Sequence, residues 1–547
     1  MKKMTIFSIA LAAWGIVAFA QDHPAEPAAP PAVLIPGIAG RLHHAIWTSN
    51  SEAQKFFDQG LTLVYAFNHE EAIRSFKRAA ELDSKAPMPW WGQAVALGPN
   101  YNVDVDPERE KAAYDAIQKA LALAVSAPAS ELEYCQALAQ RYSNASKPDY
   151  HELALAYRKA MHQLAADHPD DPDALTLYAE SIMDLNPWRL WSNEGSPAEG
   201  TEEIVNTLEK VLRAYPNHVG ANHFYIHALE ASPHPERALP SAARLGSMVP
   251  AAGHLVHMPA HIYIRTGDFE AAAKANVAAA AADRDLIQRT RAEGTIYDMM
   301  YYSHNLHFLA AACSMQGNYA CAHDAAEKLA AHVAPEVKQM GMLEWFMTWQ
   351  PFVLARFNRW DEILAAPAPD ASMLMTTGTW RYARCLAFIA KDQQGPAQTE
   401  RRSLGEVIGK TPTDAAYGYN SARAVLELAA AILDGKLAAA QGDLAGAIGF
   451  YTKAVGAQDQ LSYDEPPDWF YPVRETLGAA LLARGAAAEA ERVFREDLAR
   501  NPGNGRSLFG LRAALQAQNK TADAAWVESE FATAWQQADV TLRVSDF

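Results

Sequence analysis

Three histidines in residues 251–270, AAGHLVHMPAHIYIRTGDFE, have the residue type and the spacing to do chemistry. His254, His257 and His261 are three and four positions apart, and residues at that spacing share one face of a helix. Neutral imidazole is a ligand for Zn, Cu, Fe and Ni. The pattern therefore indicates imidazoles that converge on one point, where they could hold a transition-metal ion.

The composition restricts the class of protein that could carry such a site. The chain has 547 residues, of which 50% are hydrophobic and 20% charged, which is typical of a folded globular protein. Its formal net charge is -17, whereas a nucleic-acid-binding protein normally carries a basic face. There is no polybasic run to bind anionic lipid. We expect no nucleic-acid partner.

The N-terminus MKKMTIFSIALAAWGIVAFAQ predicts a signal peptide over residues 1–20. Two lysines precede an apolar stretch, and Ala18-Phe19-Ala20 fits the cleavage rule; an uncleaved membrane anchor is the alternative. No later segment offers the ~20 apolar residues needed to span a bilayer. We expect secretion across the inner membrane into the periplasm, with no membrane insertion after signal removal. Residues 21–40 are predicted to form a Pro/Ala-rich linker, disordered or extended.

Helical hairpins are predicted for the rest of the chain. Residues 52–87 resemble a tetratricopeptide repeat (TPR), with Gly60, Ala72, Phe76 and Ala79 at the spacing of that family. Similar units begin near residues 261, 309, 353, 437 and 477. The resemblance implies an all-α fold, a TPR-like right-handed α-solenoid. We place an N-terminal array with a histidine-lined groove at residues 41–370 and a C-terminal array at residues 371–547.

The TPR resemblance also implies which residues face the concave groove, because the first helix of each repeat lines it. With Gly267 as the turn glycine, the histidines of the opening stretch all take groove positions. Thirty-four residues before His257 and His261 stand two more histidines, and the next repeat adds another pair. Seven histidines from three repeats are thus in register: His223, His227, His254, His257, His261, His304 and His307. Glu230, and in a looser alignment Glu180, are expected nearby.

The motifs FYIHALE, HLVHMPAHIY and YYSHNLHFL resemble those of a class of exported bacterial TPR proteins. This resemblance implies export and the repeat fold, and it implies no particular activity. The leading hypothesis from the residues is a histidine-rich site for a divalent transition metal, Zn, Cu or Fe, in the concave groove. The alternatives are a histidine-lined pocket for an anionic or peptide ligand and histidines that serve structural hydrogen bonding alone. Seven ligands exceed one tetrahedral site, so either two ions bind or some histidines are acids, bases or orienting groups.

Three functions remain open from the sequence. In a metal-dependent enzyme, an open coordination position would activate water or dioxygen, with Glu230 and Glu180 as ligands or general base. A non-catalytic adaptor would bind a peptide or an envelope protein in the groove. A metal store or chaperone would hold several ions without an adjoining pocket.

Other segments are weaker candidates for a site. The loops around residues 90–104 and 180–191 interrupt their repeats and offer Asn100, Asn102, Trp188 and Trp191 as lining residues. YDEPPDWFYPVRETLG, residues 463–478, is predicted to be an ordered lid or corner that serves packing. Cys313 and Cys321 lie on two helices of one hairpin, where they form either a disulfide or two buried thiols.

Overall fold

A computed structural model describes residues 32–104 and 106–547, so the predicted signal peptide, residues 1–20, lies outside the described residues. The described chain is an all-α TPR-like solenoid, which confirms the predicted fold class. Its α-helices are α1 (Ser51–Val64), α2 (His69–Leu82), α3 (Met88–Leu97), α4 (Pro107–Ala124), α5 (Ala129–Leu138), α6 (Tyr150–Asp167), α7 (Pro172–Met183), α8 (Thr201–Ala214), α9 (Val219–Glu230), α10 (Leu239–Met248), α11 (Gly253–His257), α12 (Pro259–Thr266), α13 (Phe269–Thr290), α14 (Ser303–Met315), α15 (Tyr319–Val333), α16 (Glu344–Met347), α17 (Trp349–Arg356), α18 (Trp360–Ala365), α19 (Leu374–Ala390), α20 (Gln394–Lys410), α21 (Ala422–Ala440), α22 (Leu444–Asp459), α23 (Val473–Ala483), α24 (Ala487–Arg500), α25 (Gly505–Ala517) and α26 (Thr521–Ala534).

Short elements interrupt the helical pairs. The two strands form one antiparallel hairpin, in which Ala416 pairs with Ser421 and Tyr417 with Asn420. These elements are the 3-10 helices Ala139–Arg141, Pro235–Ala238, Gly341–Leu343 and Val544–Asp546, the π-helix Tyr297–Tyr302, and the strands β1 (Ala416–Tyr417) and β2 (Asn420–Ser421). No helix within the described ranges is long and apolar enough to cross a bilayer.

Small residues let the helices of each pair approach closely. A Cβ at Gly60 on α1 would lie 2.6 Å from the ring of Phe76 on α2, and one at Gly92 on α3 would lie 2.5 Å from the same ring. The ring therefore fills the space that two absent side chains leave. Phe494 lies in the same way between Gly478 and Gly510. Burial of each phenylalanine side chain contributes roughly 1.5–3 kcal/mol to folding.

The turn between paired helices is fixed by local chemistry, as the repeat pattern predicts. Gly267 ends α12 in the left-handed region at φ 85°, where glycine has no steric cost. The Asp268 side chain then accepts a hydrogen bond from the amide of Ala271 and begins α13. Cys313 and Cys321, on the next hairpin, form a disulfide, one of the two states that the sequence allows.

Part of the predicted linker packs against the first repeat. Ile35 and Ile38 are buried. The Gln59 side chain accepts from the amide of Ile35 at 2.7 Å and donates to the carbonyl of Val33 at 2.9 Å. Residues 32–40 of the predicted linker are therefore ordered against α1, and residues 21–31 lie outside the described residues. The division at residues 370 and 371 stays a prediction.

Two elements of the C-terminal half reach across to the histidine-bearing helices. We call residues 460–472, between α22 and α23, the strap, and residues 416–421 the hairpin. Asn420 of the hairpin donates to Asp468 of the strap at 2.7 Å and accepts from the amide of Ser462 at 2.7 Å. Gly418, at the hairpin turn, lies so close that a Cβ would be 2.3 Å from Asp468. These hydrogen bonds hold the hairpin and the strap together beside the histidine-bearing helices.

Candidate metal centre

The predicted repeat frame brings six histidines together on α9, α11, α12 and α14. They form two groups of three whose ligand nitrogens lie within 4.8 Å of one another. We call His223, His227 and His254 the first triad, and His257, His261 and His304 the second triad. Rings of adjacent triads are in contact, with the centroids of His254 and His257 6.0 Å apart.

The first triad is buried and its outer nitrogens are engaged. Nδ1 of His223 donates to the carbonyl of Tyr65 at 2.7 Å, because a carbonyl oxygen can only accept. Nδ1 of His227 lies 2.9 Å from Oε1 of Glu230. Nε2 of His223 then faces Nε2 of His254 at 3.1 Å, while Nε2 of His227 has no hydrogen-bond partner among the described residues. Of the inner nitrogens, that of His227 is therefore unpartnered, while those of His223 and His254 pair with each other.

The second triad repeats this arrangement one repeat further on. The amide nitrogen of Asn276 donates to the carbonyl of Ala272 at 2.8 Å, which turns its Oδ1 toward Nδ1 of His257 at 2.7 Å. Nε2 of His257 consequently faces Nε2 of His261 at 2.8 Å. The ring of His304 lies 4.8 Å from that of His257 and is only half-buried. This triad is the more accessible of the two.

Two carboxylates contact the Nδ1 atoms of His227 and His261, on the outer side of the triads. Glu230, which is 1% exposed, places Oε1 on His227 and Oε2 2.7 Å from Nδ1 of His261. Glu465 of the strap places its Oε2 2.8 Å from the same nitrogen. The hydroxyl of Tyr463 donates to the other oxygen of Glu465. Glu230 therefore links one histidine of each triad, and Glu465 reaches the second triad alone.

Burial and neighbouring charge set the protonation of the site. Burial lowers the pKa of each of the following well below its usual range: His223, His254, His257, His304 and His307. Burial also opposes charge on His261, but the carboxylates of Glu230 and Glu465 raise its pKa to about 10. Against its own burial, Glu230 has its pKa lowered to about 2 by His227 and His261. Most of the cluster is thus neutral imidazole at pH 7, the form that binds metal.

The donor set fits a transition-metal ion in each triad. Ligand histidines characteristically donate their second nitrogen to a carboxylate or a carbonyl, and four of the six do so or face such an oxygen here. Two nitrogens that bind one ion at about 2.1 Å in right-angled to tetrahedral geometry lie about 3.0–3.4 Å apart. The facing Nε2 pairs, at 3.1 and 2.8 Å, are close to that range.

Aromatic side chains wall the first triad. The ring of Phe67 stacks on those of His227 and His254, at 5.8 and 5.5 Å between centroids. Trp188 touches His227 from another side at 5.9 Å. Both Phe67 and Trp188 are in the left-handed region, at φ 55° and 58°, which bulky residues rarely adopt. Such backbone strain is concentrated at functional sites.

Two predicted site residues lie outside the triads. The His307 ring packs against the rings of Trp345, Phe346 and Trp349, at 4.7, 5.4 and 4.2 Å between centroids. Glu180, on α7, lies beside Arg141 at 3.8 Å and is held there by that charge. Arg141, from the preceding repeat, donates to Asp184 as well, and Glu180 belongs to neither histidine triad.

Glu465 is the site residue that sequence reasoning missed. The sequence predicts a packing role for the strap, since prolines and aromatic residues surround this glutamate. Its carboxylate is 2% exposed and therefore needs a buried partner, which His261 supplies. A signal was present in the acidic residues of YDEPPD, which are unusual between so many apolar side chains.

A cavity of about 500 Å³ adjoins the second triad at Glu465. Its wall includes Trp191, Arg265, Tyr463 and Arg474. Arg265 is fixed by the carbonyl of Glu230, to which its Nε donates at 2.9 Å. The cavity therefore brings charged and aromatic side chains to the carboxylate that contacts His261.

Fold and site define this chain as a TPR-like α-solenoid with buried histidine groups that could hold metal ions. No protein-family model matches it, and no curated protein does. Among solved structures it is similar to the human IFIT1 dimer with m7Gppp-AAAA, with 14% identity, a TM-score of 0.32, and 90% of this chain and 92% of that chain covered. It is also similar to the structure of Naa15/Naa10 bound to HypK-THB, with 13% identity, a TM-score of 0.22, and 88% of this chain and 70% of that chain covered. Likenesses this low carry no argument about the site.

Proposed function

We propose that this protein binds two transition-metal ions, one in each histidine triad, and that the ion in the second triad acts on a substrate in the adjoining cavity. One observation carries the proposal. The outer nitrogens of His223, His227, His257 and His261 all face oxygen atoms, which leaves inner nitrogens directed into the triads. Imidazole ligands suit Zn, Cu or Fe.

The two triads are suited to different tasks. Metal sites that serve structure are closed, whereas catalytic sites keep a coordination position for water or substrate. Aromatic rings pack around the first triad. In the second triad His304 is half-buried, and Glu465, which lies 2.8 Å from His261, lines the cavity. Glu465 is placed to act as general base toward a molecule bound in that cavity. Glu230 would orient one histidine for each ion.

The other functions fit the site less well. A peptide partner of the adaptor kind would have to dock elsewhere, because the strap and the hairpin cover the histidine face. A metal store is the second candidate, and it is favoured by the enclosure of the first triad. It does not account for the cavity beside the second.

Elemental analysis of protein purified without a histidine tag tests the proposal. We expect two equivalents of Zn, Cu or Fe in the wild type, and the loss of one equivalent in each of His227→Ala and His304→Ala. His151→Ala is the matched control, since His151 is an exposed histidine outside both triads. Wild-type protein that holds no metal, and binds divalent ions no more tightly than the triad variants do, would overturn the proposal.

Export is a separate part of the proposal, supported by the pattern of residues 1–20. N-terminal sequencing of the protein from the periplasmic fraction should begin at Gln21. Recovery of the chain only in the cytoplasm, with Met1 retained, would contradict export and would leave the metal site to be judged by the first experiment.

A further inference from the structure

Three aromatic side chains form a stack from the surface to the first triad. Tyr419, at the hairpin turn, is 45% exposed, and its ring stacks on that of Trp188 at 5.0 Å between centroids. Trp188 stacks on Tyr101 at 5.4 Å. Tyr101 is buried and lies 5.1 Å from the ring of His227. We call Tyr419, Trp188 and Tyr101 the aromatic ladder.

The rungs of the ladder are held individually. Trp188 donates its indole N–H to Oδ1 of Asn102 at 3.1 Å, and Asn102 is in turn near the hydroxyl of Tyr301 at 3.4 Å. The amide of Tyr419 donates to Asp464 of the strap at 3.2 Å. Trp188 keeps its place despite a left-handed backbone. Rungs from three distant parts of the chain are thus aligned at some conformational cost.

We infer that the aromatic ladder carries single electrons between the surface and the ion of the first triad. This inference rests on the proposed function. Tyrosine and tryptophan are the side chains that lose one electron most readily, apart from those with sulfur, and here three of them stack in contact from solvent to a ligand histidine. Zn has no redox chemistry, so the ladder requires Cu or Fe in the first triad.

The step balances with hydrogen peroxide as the oxidant. Reduction of peroxide to two water molecules takes up two protons and two electrons. Peroxide reacts at the ion of the second triad, the more accessible one. One electron comes from that reduced ion, whose charge rises by one, and the other comes from the ladder through the ion of the first triad, whose His254 contacts His257 of the second triad. The final donor is the Tyr419 phenol, which releases its proton to water and becomes a neutral radical. Two equivalents of a one-electron reductant of the ascorbate class then return two electrons. One reduces the Tyr419 radical, which takes a proton from water, and the other reduces the oxidised metal ion.

The test uses the full-length protein loaded with Cu or Fe, with metal content measured on every sample. The reduced protein is mixed with peroxide and freeze-quenched for electron paramagnetic resonance, and oxidised residues are mapped by peptide mass spectrometry. We expect an organic radical in the wild type and oxidation at Tyr419 in excess of that at Trp526, which is 63% exposed and serves as an internal reference. Trp188→Phe keeps a stacked ring that is hard to oxidise, and should lose the oxidation at Tyr419.

Trp47→Phe is the control. The Trp47 side chain is 42% exposed and belongs to neither the ladder, the triads nor the cavity at Glu465. Its replacement should leave the oxidation at Tyr419 unchanged. Equal oxidation of Tyr419 and Trp526, or no effect of Trp188→Phe in metal-loaded protein, would overturn the ladder and leave the metal proposal standing. Failure of the wild type to bind either metal would overturn both.

Discussion

Glu230→Gln is the substitution that probes the link between the two triads most sharply. The carboxylate is buried. Its Oε1 accepts from Nδ1 of His227 at 2.9 Å, and its Oε2 forms an ion-pair contact with Nδ1 of His261 at 2.7 Å. Glutamine keeps the shape but offers one oxygen and one NH₂ group. One histidine therefore faces a donor instead of an acceptor, and both lose the negative charge.

The expected effect follows from what such orienting groups contribute elsewhere. Loss of a hydrogen-bond partner behind a ligand histidine weakens metal binding by about 10–100-fold, which corresponds to about 1.4–2.7 kcal/mol. Because Glu230 faces both triads, both dissociation constants should rise. Asn276→Ala, which removes the acceptor of His257 alone, should weaken only the second site.

Competition of the metal-free protein with a chelating dye measures both constants. Glu209→Gln is a suitable control, because Glu209 is a carboxylate of the same region that accepts from Tyr225 and Arg237 and contacts neither triad. Unchanged affinities in Glu230→Gln, with the helical circular dichroism retained, would refute the orienting role. Weakening of only one site would refute the link between the triads.

Three further predictions concern stability, each measured by chemical denaturation. Asp173 accepts from Tyr65, His44 and His218, so Asp173→Asn should lower the free energy of unfolding by about 3–5 kcal/mol. Burial opposes the charge of Asp173, but His218 and His44 hold its pKa well below the usual value. The stabilisation by this carboxylate is therefore present above about pH 4 and lost as the pH falls. Equal stability of Asp173→Asn and the wild type at pH 7 would contradict the prediction. Cys313→Ser/Cys321→Ser opens a disulfide between residues 8 apart and should cost about 2–3 kcal/mol, whereas an unchanged midpoint would argue that the pair is reduced. Burial, with the charge of Glu475, raises the pKa of Asp497 to about 6. The contribution of Asp497 to the free energy of unfolding therefore falls as the pH rises from about 4 to 6. Asp497→Asn should make that free energy depend less on pH in this range, and an unaltered pH dependence would contradict the prediction.

The fold and the meeting of the histidines were predictable because they follow from local periodicity. A repeat of fixed length places equivalent residues on the same face of successive helices. For that reason the spacing of 34 residues between His223 and His257 is enough to assign both to one groove. The grouping of six of the seven histidines is accordingly the part of the site that the sequence predicts best.

Contacts that depend on how the solenoid winds could not be predicted. Glu465 and Tyr419 come from the C-terminal half, and no local pattern says that the strap and the hairpin cross to the histidine helices. Glu180, from the looser alignment, lies outside both triads for a related reason. Arg141 of the preceding repeat lies beside it, which the register of glycines and prolines does not reveal.

Anomalous diffraction from crystals of the metal-loaded protein shows directly whether each triad binds one ion. We expect two peaks, one about 2.1 Å from nitrogens of His223, His227 and His254 and one at the same distance from nitrogens of His257, His261 and His304. Peaks confined to exposed histidines such as His151, with none inside either triad, would contradict that expectation.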